Sequence, residues 1–143
     1  MRRKKVRIII DTNLWISFLL SKSLEKLDQL FSNNSATLIF SQELIDEFIE
    51  VAQRPKFKKY FEASDLEDLI LHIRSHGEFI HATTHVDLCM DKKDNFLLSL
   101  AKDGKAHFLL TGDNDLLQIG KIGKTSILTF TQFLEIKLST RLK

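Results

Sequence analysis

The sequence predicts an α/β fold, a three-layer α/β/α sandwich built around a mainly parallel sheet. Short apolar runs of strand character alternate with amphipathic segments of helical period along the chain, which is typical of this class. The strongest runs lack polar alternation, as expected for parallel strands buried on both faces. Two of these runs end abruptly in polar, acidic segments, and this layout indicates where a functional site would form.

The strongest strand prediction is Val6–Ile10, a run of mostly β-branched residues that ends at Asp11. A second run, over 106–110, has the same layout and leads through Thr111 to Asp113. Open α/β sheets form their ligand crevices beyond the carboxyl ends of their strands, so both acids are expected at such a crevice. Further strands are predicted over 37–40 and 126–128, with weaker candidates at 79–80 and 86–89.

Apolar stripes of helical period predict helices over 14–20, 24–31, 42–53, 65–75, 91–102 and 132–138. Side-chain oxygens that accept backbone N–H bonds are favoured just before a helix. The expected caps of this kind are Asn13, Ser41, Ser64 and Thr131. Arg54 and Pro55 are interpreted as the end of the helix over 42–53, because a residue before proline disfavours the α region.

Two more acids occupy helix positions that the apolar pattern assigns to the core side. Glu47 lies at the edge of the stripe formed by Leu44 and Phe48, and Asp94 shares a face with Leu97. Each acid also has a plain structural interpretation. Asp113 fits a helix cap, Asp94 fits the positive end of a helix dipole, and Glu47 fits a solvated surface acid.

Taken together, the acids predict a metal site. Carboxylates buried close to one another require protons or a cation to offset their repulsion. An all-oxygen ligand set favours Mg²⁺ or Mn²⁺ over Zn²⁺. Such a cluster suits metal-assisted attack of water on a phosphodiester. The predicted set is Asp11, Glu47, Asp94 and Asp113, with Asp115 as a fifth acid.

Several motifs make the chain resemble the PIN-domain nucleases, in particular the bacterial branch that contains toxins of toxin–antitoxin pairs. The resemblance covers about 6–138. It rests on Ile8-Ile9-Ile10-Asp11-Thr12-Asn13, Ser41 with Glu47, Arg54-Pro55-Lys56-Phe57, Asp91-Lys92-Lys93-Asp94-Asn95 with Ala101, and Leu110-Thr111-Gly112-Asp113-Asn114-Asp115-Leu116-Leu117.

The resemblance implies a doubly wound sheet of about five strands and Mg²⁺- or Mn²⁺-dependent cleavage of single-stranded RNA. It implies that Asp11, Glu47, Asp94 and Asp113 are the catalytic, metal-binding acids, with Asp115 as an auxiliary ligand. Residues implied to orient carboxylates or water are Thr12, Asn13 and Thr111. A toxin would also have a cognate antitoxin protein as its partner, and relatives often form homodimers.

Composition agrees with one intracellular domain over residues 1–143, with a core over about 6–138 and basic ends. A single cysteine excludes an intramolecular disulfide, and no apolar run reaches the ~20 residues that span a membrane. A cytoplasmic location is therefore expected. The net charge of +2 does not identify a nucleic-acid binder. A local cluster, Lys56, Lys58 and Lys59, alternates with aromatic residues and is a weak candidate for RNA binding.

Two other functions remain open at this point. A PIN-like fold that binds RNA or a protein without cutting would not need the complete set of acids. An aspartate phosphoacceptor or phosphatase-type domain would use Asp11 as the phosphorylated group and would need a lysine placed near it. Lys102 and Lys105 are poorly placed candidates for that lysine.

Overall fold

The structure is a computed structural model that describes residues 6–21, 36–81, 83 and 92–141. Its sheet consists of β1 (Val6–Ile10), β2 (Ala36–Phe40), β3 (Gly77–Phe79), β4 (Phe108–Leu110), β5 (Lys121–Ile122) and β6 (Thr125–Leu128). The helices of the described residues are α1 (Thr12–Ser21), α2 (Gln42–Ala52), α3 (Pro55–Lys58), α4 (Ala63–His76), α5 (Lys92–Asp103), α6 (Asn114–Ile119) and α7 (Phe130–Arg141). The predicted α/β class and mainly parallel sheet are confirmed.

The strand order β3-β2-β1-β4-β6-β5 makes the sheet doubly wound. From β1 the chain proceeds outward to β2 and β3, and from β4 it proceeds outward on the other side to β6. These strands pair in parallel, and only the short β5 pairs antiparallel, with β6. The order therefore reverses between β1 and β4, and this is the point at which open α/β sheets form a ligand crevice beyond the strand ends.

Apolar side chains of the central strands form the core on both faces of the sheet. Ile8, Ile9 and Ile10 of β1 are at most 1% exposed, and Leu109 and Leu110 of β4 are fully buried. Consecutive residues of a strand point to opposite faces, so burial of all of them requires helices on both sides. The continuous apolar runs in the sequence have this origin, and the result is the expected three-layer arrangement.

Trp15 anchors α1 to the elements around it. Its ring lies 5.7 Å from that of Phe40 in β2 and 6.3 Å from that of Phe48 in α2, measured between centroids. It also meets Phe18 edge to face at 6.3 Å. Aromatic pairs at these separations add specific geometry to a large buried area. The start of α1, directly after β1, is thereby held in place.

Helix starts agree with the sequence prediction at α2 but not at α1. Ser41 caps α2, with its Oγ accepting from the backbone N–H of Leu44 at 3.2 Å. The prediction that Asn13 caps α1 was wrong. The carbonyl oxygen of Asp11 already accepts from the N–H of Trp15 at 3.1 Å, so Asp11 precedes the helix. Asp11 therefore follows β1 directly and provides the first backbone acceptor of α1.

The caps of α4 and α7 lie two residues before the predicted ones. At α4 the cap is Glu62 and not Ser64. The backbone N–H of Glu62 donates to the carboxylate of Asp65. At α7 the Thr129 hydroxyl accepts from the Gln132 N–H, and the Gln132 side chain accepts from the Thr129 N–H. A reciprocal pair satisfies two backbone donors, so it outcompetes a single serine or threonine nearby.

Four short elements were missed or only weakly predicted, and one of them is α6, which the sequence indicated only through the possible cap at Asp113. The two-residue strand β5 reverses into β6 through a turn where Gly123 has a positive φ of 55°. The four-residue helix α3 begins at Pro55, a residue suited to the first helical position. The strand β3 includes Phe79 of the weak candidate at 79–80. The helix predicted over 24–31 and the strand predicted over 86–89 lie outside the described residues.

Within the ranges that the structure describes, no helix is both long enough and apolar enough to cross a bilayer.

We expect Gly77→Ala to lower the free energy of unfolding by about 1–3 kcal/mol, the usual cost of overpacking. Gly77 joins α4 to β3, and a Cβ there would lie 2.6 Å from the carbonyl oxygen of Ile73 and 2.9 Å from the Phe40 ring. Gly112→Ala is the matched control, because a Cβ at Gly112 meets no atom within 4 Å. Urea titration measures both variants, and equal midpoints would contradict the assigned packing.

Candidate metal centre

The four acids predicted as ligands line one cavity of about 210 Å³ at the switch point of the sheet. They come from four separate places in the chain: the end of β1, the middle of α2, the first turn of α5 and the segment after β4. The lining residues are Asp11, Asn13, Glu47, Val51, Arg54, Asp94, Leu97 and Asp113. Residues far apart in sequence therefore share one polar cavity.

Asp11 is the most deeply buried of these acids, at 6% exposure. Its Oδ2 accepts a hydrogen bond from the Thr111 hydroxyl at 2.7 Å, and the backbone N–H groups of Thr12 and Asn13 favour the charged form of its carboxylate. The same Thr111 hydroxyl accepts from the backbone N–H of Asp113 at 3.0 Å. One hydroxyl thus connects the acid after β1 to the acid after β4.

The pKa of Asp11 is raised above its ordinary value of 3.8. Loss of solvent is the main cause, and the negative charge of Asp113 adds to it. The hydrogen bond from Thr111 and the backbone N–H groups of Thr12 and Asn13 act in the opposite direction without cancelling the effect. Ionised Asp11 is therefore held at an energetic cost that a nearby cation would offset.

Asp94, Asp113 and Asp115 form the tightest group of acids in the described part of the chain. One carboxylate oxygen from each lies within 4.8 Å of the other two. Asp94 is buried at 8% exposure, Asp113 is half-buried and Asp115 is exposed. Three oxygen ligands that converge from the protein interior and the surface fit a hard divalent cation with access to solvent.

The structural interpretation of Asp113 as a helix cap is correct, and it is compatible with a place in the site. Asp113 caps α6, with Oδ1 accepting from the N–H of Asp115 at 2.9 Å. A carboxylate has two oxygens with separate lone pairs, so a cap and a cation can share the group. The cap fixes the direction in which Asp113 points.

Asn13 is exposed and lines both the acid cavity and a second cavity of about 370 Å³. The second cavity is also lined by Asp113, Leu14, Ser17 and Gly112. The two cavities meet at Asn13 and Asp113. The arrangement leaves room beside the acids for a molecule larger than an ion.

The Thr12 hydroxyl makes no hydrogen bond to a carboxylate within the part of the chain that the structure describes. The Thr12 side chain is buried, and its Oγ1 has no hydrogen-bond partner within the described residues. The contribution of Thr12 to the site is its backbone N–H, which bonds to Asp11. This N–H is directed at Asp11 because Thr12 lies in the first turn of α1, where backbone donors point toward the preceding acid.

The three lysines of the weak RNA-binding prediction lie outside the cavity. Lys56 and Lys58 are on α3 and Lys59 follows it, all of them exposed. The Lys56 ammonium is 4.9 Å from the centroid of the Phe57 ring, and the Lys59 ammonium is 5.2 Å from that of Tyr60. Positive charge and aromatic surface are therefore next to each other on this segment.

Arg54 also lines the acid cavity, although it was not among the predicted site residues. The sequence placed Arg54 only at the end of a helix, although its spacing also indicated a position near the acids. Arg54 follows Glu47 by seven residues and Val51 by three, the spacing of one helix face. The chain keeps this direction just beyond the end of α2, so the guanidinium stays on the side of Glu47.

Comparison with known proteins identifies one family. A family model described as "PIN domain" matches residues 7–115, which is more than half of the chain. An uncharacterised protein of the archaeon Methanocaldococcus jannaschii is 27% identical over 123 residues, covering 83% of this chain and 78% of the relative. The comparison with solved structures found no match. The matched region includes every acid of the cavity.

We expect Asp11→Asn to stabilise the metal-free protein at neutral pH by about 1 kcal/mol, a usual size for one stabilising substitution. A raised pKa means that the folded protein keeps a proton where the unfolded chain has lost it. The stability of the wild type therefore falls as the pH rises from about the ordinary pKa of 3.8 through the raised one. Asp11→Asn has no ionisable carboxyl at this position, so its stability does not fall from this cause.

Urea titrations in a chelator, from acidic to neutral pH, measure the effect. Glu43→Gln is the control, because Glu43 is an exposed acid on α2 and does not line the cavity. If Asp11→Asn showed the same pH slope as the wild type and no gain in stability, the buried charge of Asp11 would not be the cause.

Proposed function

Because the chain belongs to the PIN-domain family, whose members are generally metal-dependent nucleases, we propose that it is an endoribonuclease. Its proposed reaction is hydrolysis of phosphodiester bonds in single-stranded RNA with Mg²⁺ or Mn²⁺. The observation that carries the proposal is the convergence of Asp11, Glu47, Asp94 and Asp113 on one cavity. The auxiliary acid Asp115 does not line the cavity, but one of its carboxylate oxygens lies within 4.8 Å of those of Asp94 and Asp113.

The proposed ligands are these four acids together with Asp115. When bound, a hard divalent cation supplies Lewis-acid activation of a phosphate and of water. The oxygen-only set supports Mg²⁺ or Mn²⁺, because softer metals prefer nitrogen and sulfur ligands. Neighbouring protein groups then set the direction of each carboxylate, as the Thr111 hydroxyl does for Asp11.

The chain also provides surfaces for the substrate around the acids. Asn13 is an exposed amide between the two cavities, and its N–H donors suit a phosphate or ribose oxygen. The cavity of about 370 Å³ beside it has room for part of a nucleotide. Lys56, Lys58 and Lys59 supply positive charge on the surface nearby in the chain.

The rival functions fit the cavity less well. A phosphoacceptor aspartate needs a lysine near the acids, but the described residues that line the cavity include Arg54 and no lysine. Lys102 and Lys105 are exposed and do not line it. A module that only binds RNA gains nothing from Asp11, whose burial raises the pKa and costs stability.

We further propose the toxin role that the motif resemblance implied, with a cognate antitoxin as the partner protein. Expression of the wild type would then arrest bacterial growth, whereas Asp11→Asn would not. Co-expression of the protein encoded by a neighbouring gene would restore growth. Normal growth with abundant, active wild-type enzyme would instead indicate a role in RNA processing.

We expect Asp11→Asn, Glu47→Gln and Asp94→Asn each to reduce Mn²⁺-dependent cleavage of a labelled single-stranded oligoribonucleotide by at least about 100-fold. Groups that only support a metal ligand cost roughly 10- to 100-fold when removed, so loss of a ligand should cost at least as much. Glu43→Gln, on the outer face of the same helix as Glu47, should leave the rate unchanged. Equal cleavage by the wild type and Asp11→Asn would contradict the proposed mechanism.

We expect Lys56→Gln/Lys59→Gln to weaken RNA binding several-fold and to lower the slope of log affinity against log salt by about 1.4, from two contacts at about 0.7 each. The rate at saturating RNA should not change. The matched control is Lys121→Gln/Lys124→Gln, which removes the same charge near the amino end of β6, away from the cavity. Equal salt slopes for the two double variants would exclude the α3 segment from the RNA path.

A further inference from the structure

Arg54 is the one cation among the described residues that line the acid cavity. Its side chain is 45% exposed, so the guanidinium is at the rim and is open to a ligand from solvent. Nothing in the family match or in the acid cluster assigns it a function. A positive group next to four acids has either an electrostatic role toward them or a role toward a negatively charged ligand.

The ion pair of Arg54 in the described part of the chain is not with a cavity acid. Its Nη2 lies 3.8 Å from Oε1 of Glu50, which is 74% exposed and does not line the cavity. This distance exceeds that of a hydrogen bond, and exposed pairs of this kind contribute little. A ligand can therefore engage the guanidinium at almost no cost in lost protein contacts.

The backbone of Arg54, in contrast, is well fixed. Its carbonyl oxygen accepts from the N–H groups of Phe57 and Lys58, both at 2.9 Å. Arg54 caps α3 and is followed by Pro55, whose ring restricts the local chain. Because this backbone is already fixed, a ligand that binds the guanidinium needs to order only the Arg54 side chain.

From these contacts we propose that Arg54 binds the phosphate of the RNA strand at the cavity, an inference that rests on the proposed function. The four acids repel an incoming phosphodiester. A cation bound to these acids would attract the phosphodiester, but only from the side on which the cation is bound. A guanidinium at the rim offers a planar fork of N–H donors that matches two phosphate oxygens. Arg54 thus positions the strand at the rim of the cavity that the acids line.

The position of Arg54 also connects the cavity to the basic segment that follows it. Lys56, Lys58 and Lys59 lie two to five residues further along the chain and are exposed, as is Tyr60 at 58%. A strand held by Arg54 can continue over these side chains by phosphate contact and base stacking. The path of the RNA strand thereby leads from the acids toward α3.

The test compares Arg54→Gln, Arg54→Lys and Glu50→Gln. Glu50→Gln is the matched control because it removes the ion-pair partner and leaves the guanidinium in place. Fluorescence anisotropy gives the affinity for a labelled single-stranded oligoribonucleotide in Ca²⁺, an oxygen-seeking cation of looser coordination geometry than Mg²⁺. Calorimetry without RNA gives the Mn²⁺ affinity, and cleavage in Mn²⁺ gives the rate.

Arg54→Gln should weaken RNA binding about 10- to 100-fold, as expected for loss of a charge-assisted hydrogen-bond pair. The salt slope should fall by about 0.7, one phosphate contact on a single strand. Mn²⁺ binding should be unchanged or tighter, because a positive charge has left the cavity. Arg54→Lys should restore the salt slope but only part of the affinity, and Glu50→Gln should resemble the wild type.

Unchanged RNA affinity, or a joint loss of RNA and Mn²⁺ binding, would overturn the inference. Equal RNA affinity for Arg54→Gln and the wild type would show that no phosphate is bound there. Tighter Mn²⁺ binding with unchanged RNA affinity would make Arg54 a counter-ion of the acids only. Weaker Mn²⁺ and RNA binding together would make its role structural. Wild-type protein that binds RNA but does not cleave it in Mn²⁺ would instead contradict the proposed function, with the Arg54 comparison still decided by affinity.

Discussion

Ile10 of β1 lies opposite Leu110 of β4, and the parallel ladder continues for one bond beyond, from the Asp11 N–H to the Leu110 carbonyl oxygen at 3.0 Å. Pairing of these two strands places Asp11 and Thr111 side by side, where the Thr111 hydroxyl reaches both Asp11 and the backbone of Asp113. Without this pairing the acids of the two strand ends would not meet. The site is therefore a direct consequence of the strand order, which reverses between β1 and β4.

The surrounding core supports an arrangement that is unfavourable in itself. Burial and the charge of Asp113 raise the pKa of Asp11, so the metal-free site costs stability at neutral pH. The apolar residues of β1 and the aromatic contacts of Trp15 hold the strand end and the start of α1 in spite of that cost. Functional sites commonly depend on a stable scaffold in this way, because the arrangement of their groups is unfavourable by itself.

The local distribution of charge in this protein says more about the site than its net charge does. The net charge of +2 hides an acidic cavity and a neighbouring basic segment that begins at Arg54. Acids attract a cation, and the cation and the basic rim together attract a phosphodiester. Under the proposed function, this combination of an acidic cavity and a basic segment would allow a set of acids to belong to a site for RNA.

The sequence by itself determined the elements whose information is local. The apolar runs of β1, β2 and β4 and the stripe of α2 with its Ser41 cap were predicted because period and capping depend on neighbouring residues. The set of acids was predicted in part from these patterns and in part from family resemblance. Short elements such as β5 were missed because two residues carry no period.

Only the tertiary structure decided which groups share the cavity and at what cost. Thr111 became the link between two acids because β1 and β4 are neighbours, although they are separated by about a hundred residues along the chain. The raised pKa of Asp11 comes from burial by other elements, which no local pattern contains. Arg54 lies at the site because α2 directs the chain past Glu47, so that Arg54 lines the same cavity as the acids.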